Sequence, residues 1–287
     1  MKPSEIQRIA KKELRTELIS YIDKSKGADH KVYILNTKKG KFVLRVPKNP
    51  WKAELQSWAM REWKKKGAKV PKQIVARKTY CIEECIEGQD MIDAKLSFQD
   101  KKKIVHNIGE ELKKMHRVKT KGYGFFKRIG VGGSKTWKEF VHRNFFVPLE
   151  YFEKNKKFSK TVIQDLKQTF KKQNLEFDDP RLLHFDVSYA NVMVKNRKFA
   201  AIIDAGDVTS GDPLFEVGGF HRFLRPRRLA RFFLEGYGVE DSKSLHFYAL
   251  TNAMWWCYYF NAIKPGNHQW IVDMERRNVI HYLKKLK

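Results

Sequence analysis

The sequence predicts an α+β protein with two lobes, a small β-rich lobe followed by a larger and mainly helical one. Short apolar runs with turn residues between them recur within residues 31–85, and one helical segment lies among them. Beyond residue 100, apolar residues recur mostly at helical spacing, and one hairpin pattern interrupts them. The glycine-containing segment Glu84–Asp90 is the predicted link, so we expect lobes of 1–87 and 88–287.

The N-terminal lobe is predicted to begin with an amphipathic helix and a β-hairpin. Over Ser4–Ile22, isoleucine and leucine side chains recur on one helical face. Two apolar runs, Lys31–Asn36 and Lys41–Pro47, then flank a Thr-Lys-Lys-Gly turn, which is typical of a hairpin.

A second helix and two more strands complete this lobe. Apolar residues at helical spacing predict the helix over Trp51–Lys65, and Gly67 is placed to end it as a C-cap. The runs Gln73–Arg77 and Thr79–Cys85 have the composition of strands.

The C-terminal lobe is predicted to be helical around one hairpin. A stripe of apolar residues predicts a helix over Asp100–Val118, and similar patterns predict helices near 136–153 and 160–173 and in the final part of the chain. The hairpin is formed by Asn191–Val194 and Phe199–Asp204. The apolar window 247–263 contains Thr and Asn side chains and is too short to span a membrane, so we expect a buried helix there.

Composition narrows the class of protein. With 42% hydrophobic and 32% charged residues among 287, the chain is neither disordered nor collagenous. Three cysteines are too few for a disulfide framework, and we expect a cytoplasmic protein without a membrane span. The formal charge of +27 attracts polyanions such as nucleic acid, anionic lipid and phosphorylated ligands, although we favour a lysine-rich solvated surface as its explanation.

The residues that carry chemistry lie around the predicted C-terminal hairpin. Its leading loop reads His-Phe-Asp-Val-Ser-Tyr-Ala-Asn, which places Asp186 and Asn191 five positions apart. The second strand ends in Ile-Asp-Ala-Gly-Asp with Asp204 at its centre, and Gly-Asp-Pro follows at Gly211–Pro213. Phosphoryl transfer needs a carboxylate to orient an acceptor hydroxyl and hard oxygen ligands for Mg²⁺. The two ends of one hairpin supply these groups.

These motifs resemble those of the aminoglycoside phosphotransferase family, a branch of the protein-kinase-like fold that phosphorylates small molecules. Phe185 stands where the family usually has Gly, and Ala205 where it has a large apolar residue. Weaker similarity is found at Leu112–Val118 and Arg231–Gly238. The resemblance implies a bilobal protein-kinase-like fold, Mg²⁺, and ATP or GTP as co-substrate. It also implies a hydroxylated small molecule as acceptor.

By this resemblance Asp186 is the catalytic base, and Asn191 and Asp204 hold the metal ions. Asp212 and His184 are expected to support the catalytic loop rather than to contact substrate.

The resemblance also predicts a nucleotide site in the N-terminal lobe. Arg45 occupies the strand position at which kinase-like folds place a phosphate-binding Lys, and Lys48 is a possible substitute. The acidic partner of Arg45 should come from the following helix, with Glu54 as first choice and Glu62 as reserve.

Two further contacts with the nucleotide are expected from topology. The loop Lys26–His30, with Gly27, would cover the phosphates. Backbone groups near Glu84 and Ile86 would bind the base.

The acceptor stays open, with aminoglycoside-like, macrolide-like and other small molecules as alternatives. The basic charge argues mildly against a polycation, although Asp207 and Glu216 could form an acidic patch. The aromatic run Trp255–Phe260 either lines an acceptor cleft or belongs to the core. Two other readings are a kinase acting on an anionic macromolecule or lipid, and a silent nucleic-acid-binding protein. The presence of Asp, Asn and Asp at the three motif positions disfavours the silent protein.

Overall fold

The computed structural model describes residues 1–25 and 30–287 and divides into two compact units. The first unit comprises Met1–Lys95 and Tyr189–Val208, and the second comprises Leu96–Ser188 and Thr209–Lys287. The lobe boundaries 1–87 and 88–287 remain a prediction. The units of the structure are drawn differently, because the predicted C-terminal hairpin is grouped with the N-terminal residues.

Helices and strands are numbered in chain order over the described residues. The helices are α1 (Pro3–Leu14), α2 (Pro50–Lys65), α3 (Phe98–Met115), α4 (Trp137–Lys154), α5 (Lys160–Lys171), α6 (Pro213–Leu224), α7 (Ala230–Tyr237), α8 (Lys243–Tyr258) and α9 (Gln269–Leu286). The strands are β1 (Leu18–Asp23), β2 (His30–Thr37), β3 (Gly40–Pro47), β4 (Gln73–Ala76), β5 (Cys81–Glu84), β6 (Gln89–Asp90), β7 (Tyr123–Arg128), β8 (Val131–Ser134), β9 (Arg181–Leu183), β10 (Val192–Lys195), β11 (Lys198–Ile202) and β12 (Thr209–Gly211).

The first unit is built on an antiparallel sheet with the strand order β1-β2-β3-β5-β4. The predicted β2–β3 hairpin is confirmed, and its register closes at Thr37 opposite Gly40. A second sheet, β11-β10-β6, pairs the predicted C-terminal hairpin with the short strand that follows β5. This pairing explains why residues 189–208 belong to the first unit.

The two faces of the larger sheet carry different side chains. Leu44 lies opposite Ile82 in the β3–β5 register, and both pack with α1 in an apolar core. Arg45 lies opposite Cys81 in the same register, and Val43 opposite Glu83. Because successive strand side chains point to opposite faces, Arg45 and Glu83 share the face away from α1.

The predicted helix over Ser4–Ile22 is too long. α1 ends at Leu14, where Arg15 adopts φ +49° in the left-handed region. After a short connection, Leu18–Asp23 form the edge strand β1, which pairs with β2. Leu18 and Ile22 are four positions apart, a spacing that fits both a helix face and every second residue of a strand. Hydrophobic spacing alone therefore could not separate the two structures.

The second unit is mainly helical around a large aromatic core. α4, α5, α8 and α9 contribute its buried side chains, including Phe145 and Phe152 of α4, Phe247 of α8 and Tyr282 of α9. A four-stranded sheet in the order β8-β7-β12-β9 accompanies these helices and was not predicted.

The window 247–263 is confirmed as helical, and its first part, up to Cys257, is mostly buried, whereas the residues after it are not. It begins within α8 and ends in a π-helical turn, Tyr259–Ile263. Within residues 1–25 and 30–287, no helix combines the length and the hydrophobicity that crossing a bilayer requires.

Candidate active site

The β10–β11 hairpin brings the two predicted metal ligands of the first unit to one end of the sheet. Val192 lies opposite Ile202 in the register, and Ile203 N donates a hydrogen bond of 2.9 Å to Asn191 O. Asn191 is buried in a short 3₁₀ turn just before β10, and Asp204 follows β11 with its side chain 32% exposed. Asp204 has φ +67°, a backbone conformation that non-glycine residues adopt rarely.

Arg45 joins this end of the hairpin to the larger sheet. Its Nη1 lies 3.3 Å from Asp204 Oδ2, and its Nε donates to Glu83 Oε1 at 2.7 Å. Both Arg45 and Glu83 are buried, at 5% and 1% exposure. A charge this deeply buried needs a partner, and Glu83 is that partner.

The pKa values of both members of this pair are raised, which favours the charged form of Arg45 and disfavours the charged form of Glu83. Burial disfavours the charged form of Arg45, but Glu83 and Asp204 outweigh it and raise the pKa of the guanidinium. At Glu83 burial is the larger influence, and it raises the pKa of the carboxyl despite the adjacent Arg45. Arg45 therefore keeps a fixed positive charge beside Asp204.

The predicted pairing of Arg45 with a helix glutamate is not what the structure shows. Glu54 is half-buried on α2, and Glu62 accepts a hydrogen bond from Lys65 Nζ at 2.6 Å. Two buried polar residues of α2, Gln56 and Ser57, carry side-chain atoms with no hydrogen-bond partner in the structure. The acidic partner of Arg45 comes instead from strand β5.

Sequence reasoning missed Glu83, although a signal was present. Cys81 and Glu83 alternate along a short strand whose register places them on the Arg45 face. An acid that is buried at an interior strand position requires a nearby cation. Glu83 within a predicted strand was therefore a signal for a buried ion pair.

The other predicted nucleotide contacts are placed as follows. Gly27 and the phosphate-covering loop Lys26–His30 lie largely outside the described residues, which resume at His30. Lys48 is exposed beyond the end of β3. Glu84 N donates to Lys72 O at 2.9 Å, so this N–H is already used within the unit. Ile86 lies in the segment between β5 and β6.

Asn191 and Asp204 fit the requirements of a magnesium site in their donor chemistry. An amide oxygen and a carboxylate are the hard oxygen ligands that Mg²⁺ prefers. Within the described ranges, no group of three or more His, Cys, Asp or Glu side chains has the spacing of a metal centre.

Residues 184–188, the part of the predicted catalytic loop that lies in the second unit and is called the catalytic loop below, are held by one buried carboxylate. Glu216 accepts hydrogen bonds from the backbone N–H groups of His184, at 3.0 Å, and of Phe185, at 2.5 Å. Asp186 N in turn donates to His184 Nδ1 at 3.3 Å. These bonds fix the backbone on both sides of Asp186, and Glu216 is the anchor of the loop rather than part of an exposed acidic patch.

Phe185 shows why glycine is the usual residue at this point of the family motif. Its φ is +70°, in the left-handed region that favours glycine. The side chain stacks on Phe215 with an interplanar angle of 4° and a centroid distance of 6.0 Å. Aromatic packing therefore accompanies a strained backbone directly before Asp186.

Glu216 is hydrogen-bonded to His116, which is in turn hydrogen-bonded to α7. His116 directly follows α3, and its ring forms two hydrogen bonds. Nδ1 lies 2.8 Å from Tyr237 OH of α7, and Nε2 lies 2.7 Å from Glu216 Oε2. Burial would raise the pKa of Glu216, but the hydrogen bonds and charge of His116 more than offset this and hold that pKa below its ordinary value. The anchor is thus ionised.

Asp212 caps α6, and its support of the catalytic loop stays a prediction. It accepts hydrogen bonds from Leu214 N at 2.9 Å and from Tyr248 OH at 2.8 Å. Burial raises the pKa of Asp212. Asp207, the other carboxylate of the suggested acidic patch, pairs with Lys52 Nζ at 2.9 Å in the first unit.

A cavity of about 250 Å³ adjoins the catalytic loop within the second unit. Asp186 and Phe185 line it together with residues of α6, of α8 and its π-helical extension, and of α9. From the aromatic run on α8, Trp256 and Phe260 line the cavity, whereas Trp255 packs on Tyr258. The run thus contributes to both the cavity and the packing around it.

Comparison with solved structures shows the same fold in phosphotransferases. A thermostable mutant of aminoglycoside phosphotransferase APH(4)-Ia, in a ternary complex with AMP-PNP and hygromycin B, is 19% identical with a TM-score of 0.74 over 98% of each chain. Macrolide 2'-phosphotransferase MphH from Brachybacterium faecium is 13% identical with a TM-score of 0.66, over 94% of this chain and 97% of its own. The streptomycin–ATP complex of APH(2")-IIa is 15% identical with a TM-score of 0.63, over 99% and 97%.

A search of curated proteins found no significant sequence match. The sequence pattern of the Phosphotransferase enzyme family (APH), however, matches residues 24–249, most of the chain. The resemblance and the fold class predicted from the motifs are thereby confirmed. This chain belongs to the Phosphotransferase enzyme family.

Proposed function

We propose that this protein is a small-molecule kinase, which transfers the γ-phosphate of a nucleoside triphosphate to a hydroxyl group. Besides family membership, one structural observation supports the proposal. Asn191 and Asp204 lie at the same end of the β10–β11 hairpin, and the guanidinium of Arg45 is 3.3 Å from Asp204. Oxygen ligands and a fixed cation at one place are what positioning a triphosphate requires.

In this proposal each residue of the first unit has a separate task. Arg45 binds phosphate oxygens of the nucleotide, and Glu83 holds the guanidinium in place. Asn191 and Asp204 hold Mg²⁺, which when bound neutralises charge on the triphosphate. The nucleoside triphosphate is ATP or GTP, and the proposed base contacts are backbone groups near Glu84 and Ile86.

Asp186 is the proposed catalytic base of the second unit. Its carboxylate orients the acceptor hydroxyl and takes its proton as the phosphoryl group is transferred. The hydrogen bonds from the loop backbone to Glu216 keep Asp186 in a fixed place before substrate binds. We assign the enzyme to the cytoplasm, where nucleoside triphosphates are abundant.

Aminoglycoside-like and macrolide-like molecules are the first acceptors to test. Related structures contain hygromycin B and streptomycin, and others are macrolide 2'-phosphotransferases. If a natural antibiotic is the acceptor, phosphorylation would confer resistance.

Two substitutions of the same type test the proposed roles. Asp186→Asn should lower turnover by about 10²–10⁴, the scale of a lost general base, while the affinity for Mg·ATP changes little. Asp204→Asn removes a metal-ligand charge, so it should weaken Mg²⁺-dependent nucleotide binding as well as turnover. Calorimetry with Mg·ATP and Mg·GTP measures binding, and nucleoside diphosphate release measures turnover.

Asp207→Asn is the matched control, because Asp207 is a neighbouring carboxylate paired with Lys52 and has no proposed role in the reaction. It should leave both measurements within a factor of about two. Near-full turnover of Asp186→Asn on a confirmed acceptor would contradict the proposal.

A further inference from the structure

From the cavity at the catalytic loop we infer the chemical class of the acceptor: a compact, uncharged, hydroxylated molecule with an apolar or aromatic face. The inference rests on the proposed kinase function, and it concerns only which molecule receives the phosphate.

Aromatic rings form a large part of the walls of the cavity. Six rings face it from α6, from α8 and its π-helical extension, and from α9, in addition to that of Phe185: Phe215, Phe220, Phe223, Trp256, Phe260 and Trp270. Trp256 stacks on Phe260 with an interplanar angle of 23°. Aromatic walls bind the flat faces of rings and of sugars with apolar substituents through buried apolar area.

The size of the cavity points to a compact acceptor. Its volume of about 250 Å³ lies below the roughly 300–1,000 Å³ that is usual for drug-sized ligands. One ring with its substituents, or two small rings, would fill such a space.

The carboxylates of the cavity are largely compensated by the protein itself. Glu216 is engaged by His116 and by two backbone N–H groups of the catalytic loop. Glu275 forms a buried ion pair with Arg222 and also accepts from Asn278 Nδ2 at 3.0 Å. The third carboxylate, Asp186, has the reacting hydroxyl as its proposed partner. The described lining therefore lacks the cluster of uncompensated acids that a polycation would need.

Because Arg222 is paired with Glu275, this buried ion pair adds no net charge to the wall that would attract a cation. Arg222 is 7% exposed, and its Nε has no hydrogen-bond partner in the structure. A buried N–H of this kind is suited to a neutral oxygen of the ligand. Asn252, whose Nδ2 donates to Phe215 O and Tyr248 O, offers its side-chain oxygen as an acceptor for a ligand hydroxyl.

A panel of acceptors tests the inference. With Mg·ATP, we would compare two neutral probes, 4-nitrophenyl β-D-glucopyranoside and 2-phenylethanol, with the polycations hygromycin B and streptomycin and the small cation choline. We expect at least one neutral probe to show a kcat/KM at least tenfold above that of every cationic probe. Calorimetry with the enzyme bound to AMP-PNP should give the same order of affinities.

Better turnover or binding of any cationic probe would overturn the acceptor class while leaving the kinase function intact. Failure of both neutral probes to bind would overturn it as well. Absence of Mg²⁺-dependent nucleotide binding would contradict the proposed function itself, which separates the two failures.

Adjacent tryptophans on α8 provide a matched pair of variants. Trp256 lines the cavity, whereas Trp255 packs on Tyr258 and is absent from the lining. Trp256→Ala should raise KM for the best neutral acceptor by about tenfold with little change in kcat, because the ring contributes to ground-state and transition-state binding alike. Trp255→Ala should leave KM unchanged.

Equal effects of the two substitutions on KM would contradict the assignment of the cavity. Trp256→Phe, which keeps an aromatic surface, guards against misfolding and should restore most of the lost affinity. If it does not, aromatic contact is not what binds the acceptor.

Discussion

The guanidinium of Arg45 lies between two carboxylates, one on β5 and one after β11. A kinase-like fold is expected to use a cation held by a helix glutamate, and here the acid lies on a neighbouring strand of the same sheet. The distance of 2.7 Å between Arg45 Nε and Glu83 Oε1 is fixed by the β3–β5 register. The orientation of the cation thus depends on the sheet rather than on the position of α2.

Removing either member of this pair should destabilise the protein more than removing both. Arg45→Ala leaves Glu83 as a buried carboxylate without its cation, and we expect a loss of about 3–5 kcal/mol in the free energy of unfolding. The double variant Arg45→Met/Glu83→Leu should recover most of that stability, since it buries neither charge. Urea denaturation of the single and double variants measures the difference.

Nucleotide affinity separates stability from function in the same set of variants. The double variant should bind Mg·ATP and Mg·GTP weakly, because it lacks the cation that we propose contacts the phosphates. Unchanged nucleotide affinity in the folded double variant would show that Arg45 does not contact phosphate, and Lys48 would be the next residue to test.

The candidate site residues that belong to a sequence motif could be predicted, whereas Glu83, which belongs to none, was missed. Asp186, Asn191 and Asp204 are fixed by short-range spacing around one hairpin. The alternation of Cys81 and Glu83 was the only local sign of Glu83, and its pairing with Arg45 depends on the β3–β5 register, which is a long-range property. The pairing of Arg45 was therefore assigned to the wrong element.

Between elements, the closest approach that supports the catalytic loop is the crossing of α3 and α7. A Cβ atom added to Gly236 would lie 2.0 Å from His106 O, and one added to Gly109 would lie 2.5 Å from Phe233 O. These glycines let the two helix backbones meet. His116 follows α3 and Tyr237 ends α7, and their hydrogen bond leads directly to Glu216.

Gly236→Ala should force the helices apart and lower the free energy of unfolding by about 1–3 kcal/mol, the usual cost of overpacking. It should also lower kcat, because displacement of Tyr237 disturbs the support of the Asp186 loop. Gly266→Ala is the control: a Cβ there meets nothing closer than 3.9 Å, so stability and kcat should stay unchanged. Equal stability of the two variants would show that the crossing is looser than it is in the structure.

Elements were predictable where the chain carries strong periodicity. α2, α3, the β2–β3 hairpin and the β10–β11 hairpin were predicted and are confirmed. The sheet of β7, β8, β9 and β12 was missed because these strands are short, and β8 and β12 contain glycine rather than a run of β-branched residues. Their pairing is determined by contacts far apart in the chain.

For the whole molecule, one buried histidine should make stability depend on pH. Burial lowers the pKa of His221 to about 4, and its Nδ1 lies 2.8 Å from Tyr282 OH in the core of the second unit. The folded pKa lies below the ordinary value of about 6.5. The unfolded chain therefore binds the proton more tightly, and stability falls as pH decreases through this range.

We expect the free energy of unfolding to decrease by up to about 3 kcal/mol between pH 7 and pH 4 from this group. In His221→Gln, which retains a polar group but does not titrate, that part of the decrease should disappear. His142→Gln, at an exposed position of α4, should keep the wild-type dependence. The same slope in all three proteins would remove His221 as its source.

The net charge of +27 should be mostly a property of the solvated surface. A basic and open cavity of about 760 Å³ illustrates it, with five Lys and Arg residues in its lining: Lys156, Lys157, Arg276, Arg277 and Lys284. Such a surface attracts any polyanion by releasing counterions, and that attraction weakens steeply with salt.

We therefore expect weak, sequence-independent retention of nucleic acid at low salt that vanishes near physiological ionic strength. Fluorescence anisotropy with labelled single-stranded and duplex DNA over a salt series measures this. Tight binding that persists at physiological salt and competes with nucleotide would favour a macromolecular acceptor instead.

The first unit is formed by two stretches of chain that are far apart in the sequence, and this affects the order in which the protein can fold during synthesis. Its sheet residues are made early, but β6 pairs with β10, Ile202 N donates to Lys69 O, and Arg45 pairs with Asp204. All three contacts need residues that leave the ribosome only after the long segment 96–188. Because the N-terminus of a chain leaves the ribosome first, the first unit stays incomplete while much of the second unit is translated. The β10–β11 hairpin, which carries the proposed metal ligands at its two ends, is thus also the last part of the first unit to be made. We therefore expect no nascent chain shorter than 208 residues to bind nucleotide as the full chain does.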